Sequence, residues 1–178
     1  MAWEDELFAY LDDLEAQAAA LYDAERVPEL ADRERAEYQQ VTLAGRLMAS
    51  VDLEVVLDVV GVGPVAGRLD RVADGWVVVS GHQQDWVVRT AAVATATGIS
   101  ERAVPEVAWP VVARLRVGSA LRRLADGAVP CSLHLVDGRR HDGVVRRVGA
   151  DFAEITTGES GRLVLVAFES LAAVQSRR

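Results

Sequence analysis

Residues 67–72 read Gly-Arg-Leu-Asp-Arg-Val, and residues 143–148 read Gly-Val-Val-Arg-Arg-Val. The match continues downstream. Trp76 falls over Phe152 and Val79 over Ile155; after a two-residue insertion, Val93 falls over Leu171. Both stretches sit among short runs rich in β-branched and aromatic residues, broken by Gly and Asp. These are Leu53 to Val60, Gly67 to Val72, Trp76 to Ser80, Trp86 to Arg89 and Val93 to Thr97, and each reads as a strand. Five short strands in so little chain predict a small antiparallel barrel. The same pattern returns from Val129 to the C-terminus. A helical segment precedes each copy, ending near Met48 and near Leu124. The unit is therefore a helix plus five strands, used twice. Its period is longer than most solenoid repeats, so two small domains side by side are expected.

Between the copies, residues 100–126 carry Pro105 and Pro110 and then Val111, Leu115, Leu121 and Leu124. They read as linker and helix, with Ser119 as a candidate cap and Asp126-Gly127 as the stop. Before the copies, Trp3, Leu7, Tyr10, Leu14, Gln17 and Leu21 alternate by four and three residues, which is heptad spacing. Phe8, Leu11, Ala18 and Tyr22 widen this stripe. The opposite face holds Glu4, Asp5, Asp12, Asp13, Glu15 and Asp23. Pro28 suits a first helical position and resets the chain. A second helix to about Ser50 follows, supported by a Glu29–Arg33 pair and by an apolar side of Tyr38, Val41, Ala44, Leu47 and Met48. The expected fold is α+β. It has an acidic helical hairpin (1–50), a first five-stranded barrel (51–99), a linker and helix (100–128) and a second five-stranded barrel (129–178).

Composition bounds what such a chain does. It has 178 residues, 51% apolar and 26% charged, at net charge −8. Folding buries about 70% of the unfolded surface at this size, so no staple is needed. One cysteine, Cys131, excludes an internal disulfide framework and Cys-based zinc sites. The three histidines, His82, His134 and His141, cannot build a multi-His metal site without carboxylates arriving from elsewhere. No apolar run approaches the ~20 residues of a membrane span. The start, Met-Ala-Trp-Glu-Asp-Glu, is unlike a signal peptide, and the cytoplasm is the expected location. All 19 basic residues are arginine, and asparagine is absent, as in a high-GC bacterial genome. Residues 1–50 carry net −8, 51–110 net −4 and 111–178 net +4. An acidic N-terminal third thus precedes a basic C-terminal third.

The second copy resembles the Sm-like fold. The residues that carry the resemblance are Gly138, His141, Gly143, Val145, the turn Gly149-Ala150-Asp151 and Phe152, then Val164-Leu165-Val166-Ala167, a tight turn at Phe168-Glu169-Ser170, and Leu171-Ala172-Ala173-Val174. Gly138 belongs to a hairpin turn with Asp137, where positive φ is required. Gly143 falls inside a strand, where a small barrel bends. The resemblance covers about 117–178 and, more loosely, 43–99. The whole chain is also similar to a family of actinobacterial proteins, which implies no mechanism. The Sm-like resemblance implies tandem barrels and, in that family, binding of single-stranded U-rich RNA around a ring pore. The family's Asn position is Ala153 here and its Arg-Gly position is Ala167-Phe168; in the first copy the equivalents are Val77 and Thr90-Ala91. The family's RNA pocket is thus missing from both copies, and a fold without its site does not carry the site's function.

Two kinds of surface remain. The apolar helical stripe, with Trp3, Leu7, Phe8, Tyr10 and Leu14, is a candidate partner surface, as are the edge strands of the barrels. Arg122, Arg123, Arg139, Arg140, Arg146 and Arg147, with Arg114 and Arg116 just before them, are candidate nucleic-acid contacts. Strand alternation sends Arg146 and Arg147 to opposite faces. Gly61-Val62-Gly63-Pro64-Val65-Ala66 spells a dinucleotide fingerprint, but strand rather than helix follows it. Cys131 and His134 are three apart on a strand and do not meet. Asp12-Asp13 and His141-Asp142 form no catalytic or metal set. The expectation is a non-enzymatic interaction or regulatory module with no cofactor and no metal. It would act through a protein partner or as a homo-oligomer; the alternative is an RNA- or DNA-binding regulator using the C-terminal arginines.

Overall fold

The computed structural model describes residues 3–158 and 161–176; in the N-terminal helix it describes the side chains of residues 3, 7–18, 33 and 35–38. That helix, α1, runs unbroken over Trp3–Tyr38. The expected hairpin is therefore corrected to one long helix. An interior proline costs about 3 kcal/mol, but the residues flanking position 28 are mostly Ala, Glu, Leu and Arg, the strongest helix formers. The break comes instead at a turn over Gln39 and Gln40. Thr42 then caps a short second helix, α2 (Leu43–Met48), its hydroxyl accepting the Gly45 N–H at 3.0 Å. Leu21, Tyr22 and Glu29, and with Glu29 the expected Glu29–Arg33 pair, lie outside the described side chains. Met1–Val41 and Thr42–Arg178 are separate compact units.

Among the described residues the second unit holds ten strands: β1 (Glu54–Val59), β2 (Gly63–Ala73), β3 (Trp76–Ser80), β4 (Asp85–Arg89), β5 (Val93–Thr97), β6 (Pro130–Leu135), β7 (Arg140–Val148), β8 (Phe152–Thr157), β9 (Arg162–Ala167) and β10 (Leu171–Ser176). They make one antiparallel sheet in the order β5-β1-β2-β3-β4-β10-β6-β7-β8-β9. Two separate five-stranded barrels, as the sequence suggested, do not form. β4 and β10 pair with each other, matching Val88 with Ala173, Val87 with Val174 and Trp86 with Gln175. The reason is general: an edge strand leaves a row of unpaired N–H and C=O groups. Two such edges in one chain satisfy each other and merge the halves.

Within each half the order is the same, fifth strand, first, second, third, fourth. The local irregularities also match. The β2–β3 ladder slips between Leu69 and Arg71, and the β7–β8 ladder between Val145 and Arg147. The β1–β5 and β6–β10 ladders slip at Ala94 and Ala172. Gly67 and Gly143 are both forced by close approach. A Cβ on Gly67 would stand 2.3 Å from the Ser80 carbonyl oxygen, and one on Gly143 would stand 1.9 Å from that of Thr156.

Two apolar cores lie on this sheet, and each borrows from the other half. Ala172 and Ala173 of β10 belong to the core around Leu47, Leu57 and Leu69. Ala73 and Trp76 belong to the core around Leu121, Leu133 and Ile155. The linker is tied down rather than loose. Trp109 is buried, its indole N–H donating to the Val104 carbonyl at 2.9 Å. The Trp76 indole donates to the Leu115 carbonyl at 2.7 Å. Helix α3 (Val117–Asp126) has Arg116 at its N-cap position, one turn before the expected cap Ser119, and Gly127 at its C-cap. Residues 63–73 continue as strand β2, so no helix N-terminus meets the fingerprint glycines.

Candidate interaction surfaces

The β4–β10 junction shows how two edges of this molecule bind. Val88, Ala173 and Val174 are fully buried there. Trp86 stacks obliquely on His134, ring centroids 5.3 Å apart, and His134 Nε2 lies 3.0 Å from Gln175 Oε1. The Asp85 N–H donates to Ser176 Oγ at 2.9 Å. The Arg89 guanidinium donates to the Phe168 carbonyl, and the Gln175 amide donates to Gln84. Apolar packing thus sits at the centre, with hydrogen bonds on either side.

The sheet still ends in two edges. Among the described residues, β5 and β9 each pair with one strand only. On β9, Val166 faces inward and is buried, while Leu163 and Leu165 are 50% and 60% exposed. On β5, the exposed positions Ala94, Thr95 and Thr97 are small. The β9 leucines were not among the expected partner residues. Their signal was present as an apolar run, Leu163-Val164-Leu165-Val166, but such a run reads equally as a strand buried on both faces.

The expected partner residues lie on α1. Trp3, Leu7, Phe8, Tyr10 and Leu14 are all exposed, Trp3 at 71%. Apolar side chains on one helix face separate from charge only when something covers them; among the described side chains of this unit nothing does. A further exposed apolar group, Val107, Val111, Val112 and Leu115, lies on the linker.

The arginines are divided. Arg139 is held by Asp137 at 2.7 Å, Arg140 lies 3.2 Å from Asp142, and Arg147 forks onto Glu154 at 2.8 and 3.2 Å. The Asp137 carboxyl is held below its ordinary value, first by the Arg139 backbone N–H and then by its side chain. Glu154 raises the Arg147 guanidinium in turn. Strand alternation fails at Arg146. The bulge there turns both Arg146 and Arg147 outward, and they line one shallow depression with Glu154 and Leu163. Arg123 is exposed on α3. Arg122 joins Arg89, Arg114 and Arg116 in a cleft of about 590 Å³ beside Phe168 and the first turn of α3. In that cleft Arg116 lies 3.5 Å from Asp74.

Cys131 is fully buried, and burial pushes its thiol up to about 11. His134 points to the other side of β6, toward Trp86, so the two form no nucleophile–base pair. Among the described residues no group of three His, Cys, Asp or Glu side chains is placed to hold a metal ion. No described helix is long and apolar enough to cross a membrane.

No protein-family model and no curated protein matches the chain. Among solved structures, the 1.55 Å crystal structure of the pleiotropic translational regulator Hfq is similar over 32% of this chain and 90% of that chain, at 12% identity and a TM-score of 0.29.

Proposed function

We propose that this protein is a non-enzymatic interaction module that binds other proteins by adding strands to its sheet edges. The observation that supports this reading is β9, an unpaired edge with two exposed leucines. Natural edges are usually shielded by charge, proline or a covering element; Leu163 and Leu165 do the opposite. Strand addition draws affinity from main-chain hydrogen bonds and specificity from alternate side chains. The test is affinity capture with the full chain as bait, beside Leu163→Lys/Leu165→Lys. The reading expects proteins, this chain included, that are retained by the first bait and lost from the second. Identical captures by both would sink it.

A second reading rests on the cleft of Arg89, Arg114, Arg116 and Arg122. In it the protein regulates through RNA or DNA phosphates, which arginine forks recognise well. Fluorescence anisotropy with short RNAs and DNAs tests it. Binding should weaken steeply with salt and be lost in Arg114→Ala/Arg122→Ala. Arg139→Ala/Arg140→Ala should matter less, because those side chains already face carboxylates. Absence of binding at low salt would remove this reading.

A further inference from the structure

From the charge and exposure of α1 and of the linker we infer that the apolar stripe of α1 docks on the linker surface of a second copy of this chain, ahead of α3. The contact involves neither sheet edge. Residues 3–25 carry eight acids and no arginine; residues 107–125 carry four arginines and no acid. Each segment also leaves large apolar side chains exposed. On α1 these are Trp3, Leu7, Phe8, Tyr10, Leu11 and Leu14. On the linker they are Val107, Val111, Val112 and Leu115, with Val107 at 89%. Apolar face thus matches apolar face, and charge matches opposite charge.

The receiving surface is concave. A cavity of about 540 Å³, lined by Ala44, Val107 and Trp109, adjoins the arginine cleft and shares Asp74, Gly75 and Arg114 with it. Arg116 faces Asp74 at 3.5 Å, while Arg114, Arg122 and Arg123 are exposed. The first turn of α3 opens into the same cleft with no acidic residue and no side-chain cap, so its dipole also favours a carboxylate there. The stripe is built to match. At about 100° per residue, Asp13 and Glu15 flank Leu7, Leu11 and Leu14 on the two sides, and both acids are exposed. Such a helix lays its apolar face in a groove and its acids on the rim. Trp3, Phe8 and Tyr10 are the kind of aromatic anchors that dominate such contacts. A second α1 is the poorer occupant of the stripe: the helix carries twelve acids against three arginines and repels its like. Leu14 lies about 36 Å along the helix from Tyr38, at 1.5 Å per residue, a reach suited to a neighbouring molecule. Two copies then exchange arms in one closed dimer, each giving a stripe and each receiving one.

The test uses the full chain with two sets of substitutions at exposed positions. Asp13→Arg/Glu15→Arg reverses the arm, and Arg114→Glu/Arg122→Glu reverses the linker surface. Light scattering on the unmodified chain should give the mass of a dimer, falling toward the monomer as salt is raised. Either reversal alone should weaken association by about tenfold or more, with an unchanged circular dichroism spectrum. An equimolar mixture of the two variants should associate again, since each then meets opposite charge at both contacts. Val107→Ser/Val111→Ser should weaken association while leaving its salt dependence in place. An unmodified chain that is monomeric at its highest soluble concentration overturns the inference; RNA or DNA binding by that monomer would give the arginines to phosphate instead. Association that survives Arg114→Glu/Arg122→Glu overturns it as well, because the copies then meet through α1 alone or through the edges. A mixture of the two reversed variants that stays monomeric also overturns it. Capture of other proteins through Leu163 and Leu165 is unaffected by any of these outcomes.

Discussion

Single residues decide where this backbone is allowed to bend. Gly143 has the Thr156 carbonyl where a Cβ would stand, whereas Gly138 needs only a positive φ, with open space around it. Gly143→Ala should therefore cost about 3 kcal/mol, the upper end of overpacking, and Gly138→Ala only about 1 kcal/mol, the cost of a left-handed alanine. Urea titrations of both variants compare them directly. Cys131 predicts a pH effect. Its thiol is raised from an ordinary 9.0 to about 11, so the folded chain holds a proton that the unfolded chain releases earlier. Its contribution is complete below about pH 9 and is lost as pH rises toward 11. Unfolding titrations between these values should show falling stability, and the slope should flatten in Cys131→Ser. At pH 8 the native thiol should stay silent to a thiol reagent and react once the protein is unfolded. The glycines were legible in the sequence because a forbidden Cβ leaves a direct mark on residue choice. The outward turn of Arg146 was not, because a bulge has no residue type of its own.

At the scale of elements, α1 separates propensity from punctuation. Pro28 reads as a boundary, yet the helix passes through it and stops at 39–42. Pro28→Ala should raise the helical circular dichroism signal and stabilise the helix by about 3 kcal/mol. A hairpin with its corner at Pro28 would show no such gain. The stripe of Trp3, Leu7, Tyr10 and Leu14 was visible from heptad spacing, but its exposure was not. Periodicity reports which side chains share a face and says nothing of whether that face is covered. The same limit hid Leu163 and Leu165. A strand's apolar run has the same letters at an edge as in the middle of a sheet.

For the molecule as a whole, the merging of two halves is the main result of tertiary structure. Each core includes residues from the other half, so the second unit should unfold as one. Denaturant titration followed by Trp fluorescence and by circular dichroism of the sheet should give coincident single transitions. Two separated transitions would mean that the halves stand alone. The sequence by itself determined the strand segments, the sharing of pattern between residues 67–72 and 143–148 and the uneven charge. Each of these follows from residue chemistry or from spacing within a few positions. Only the tertiary structure decided that β4 meets β10 and which edges, among the described residues, are left open. Those outcomes depend on contacts between residues as much as 91 positions apart, such as Asp85 and Ser176. Backbone hydrogen bonding drives two edges together without requiring any particular side chain, so the pairing that joins the halves leaves no motif to read.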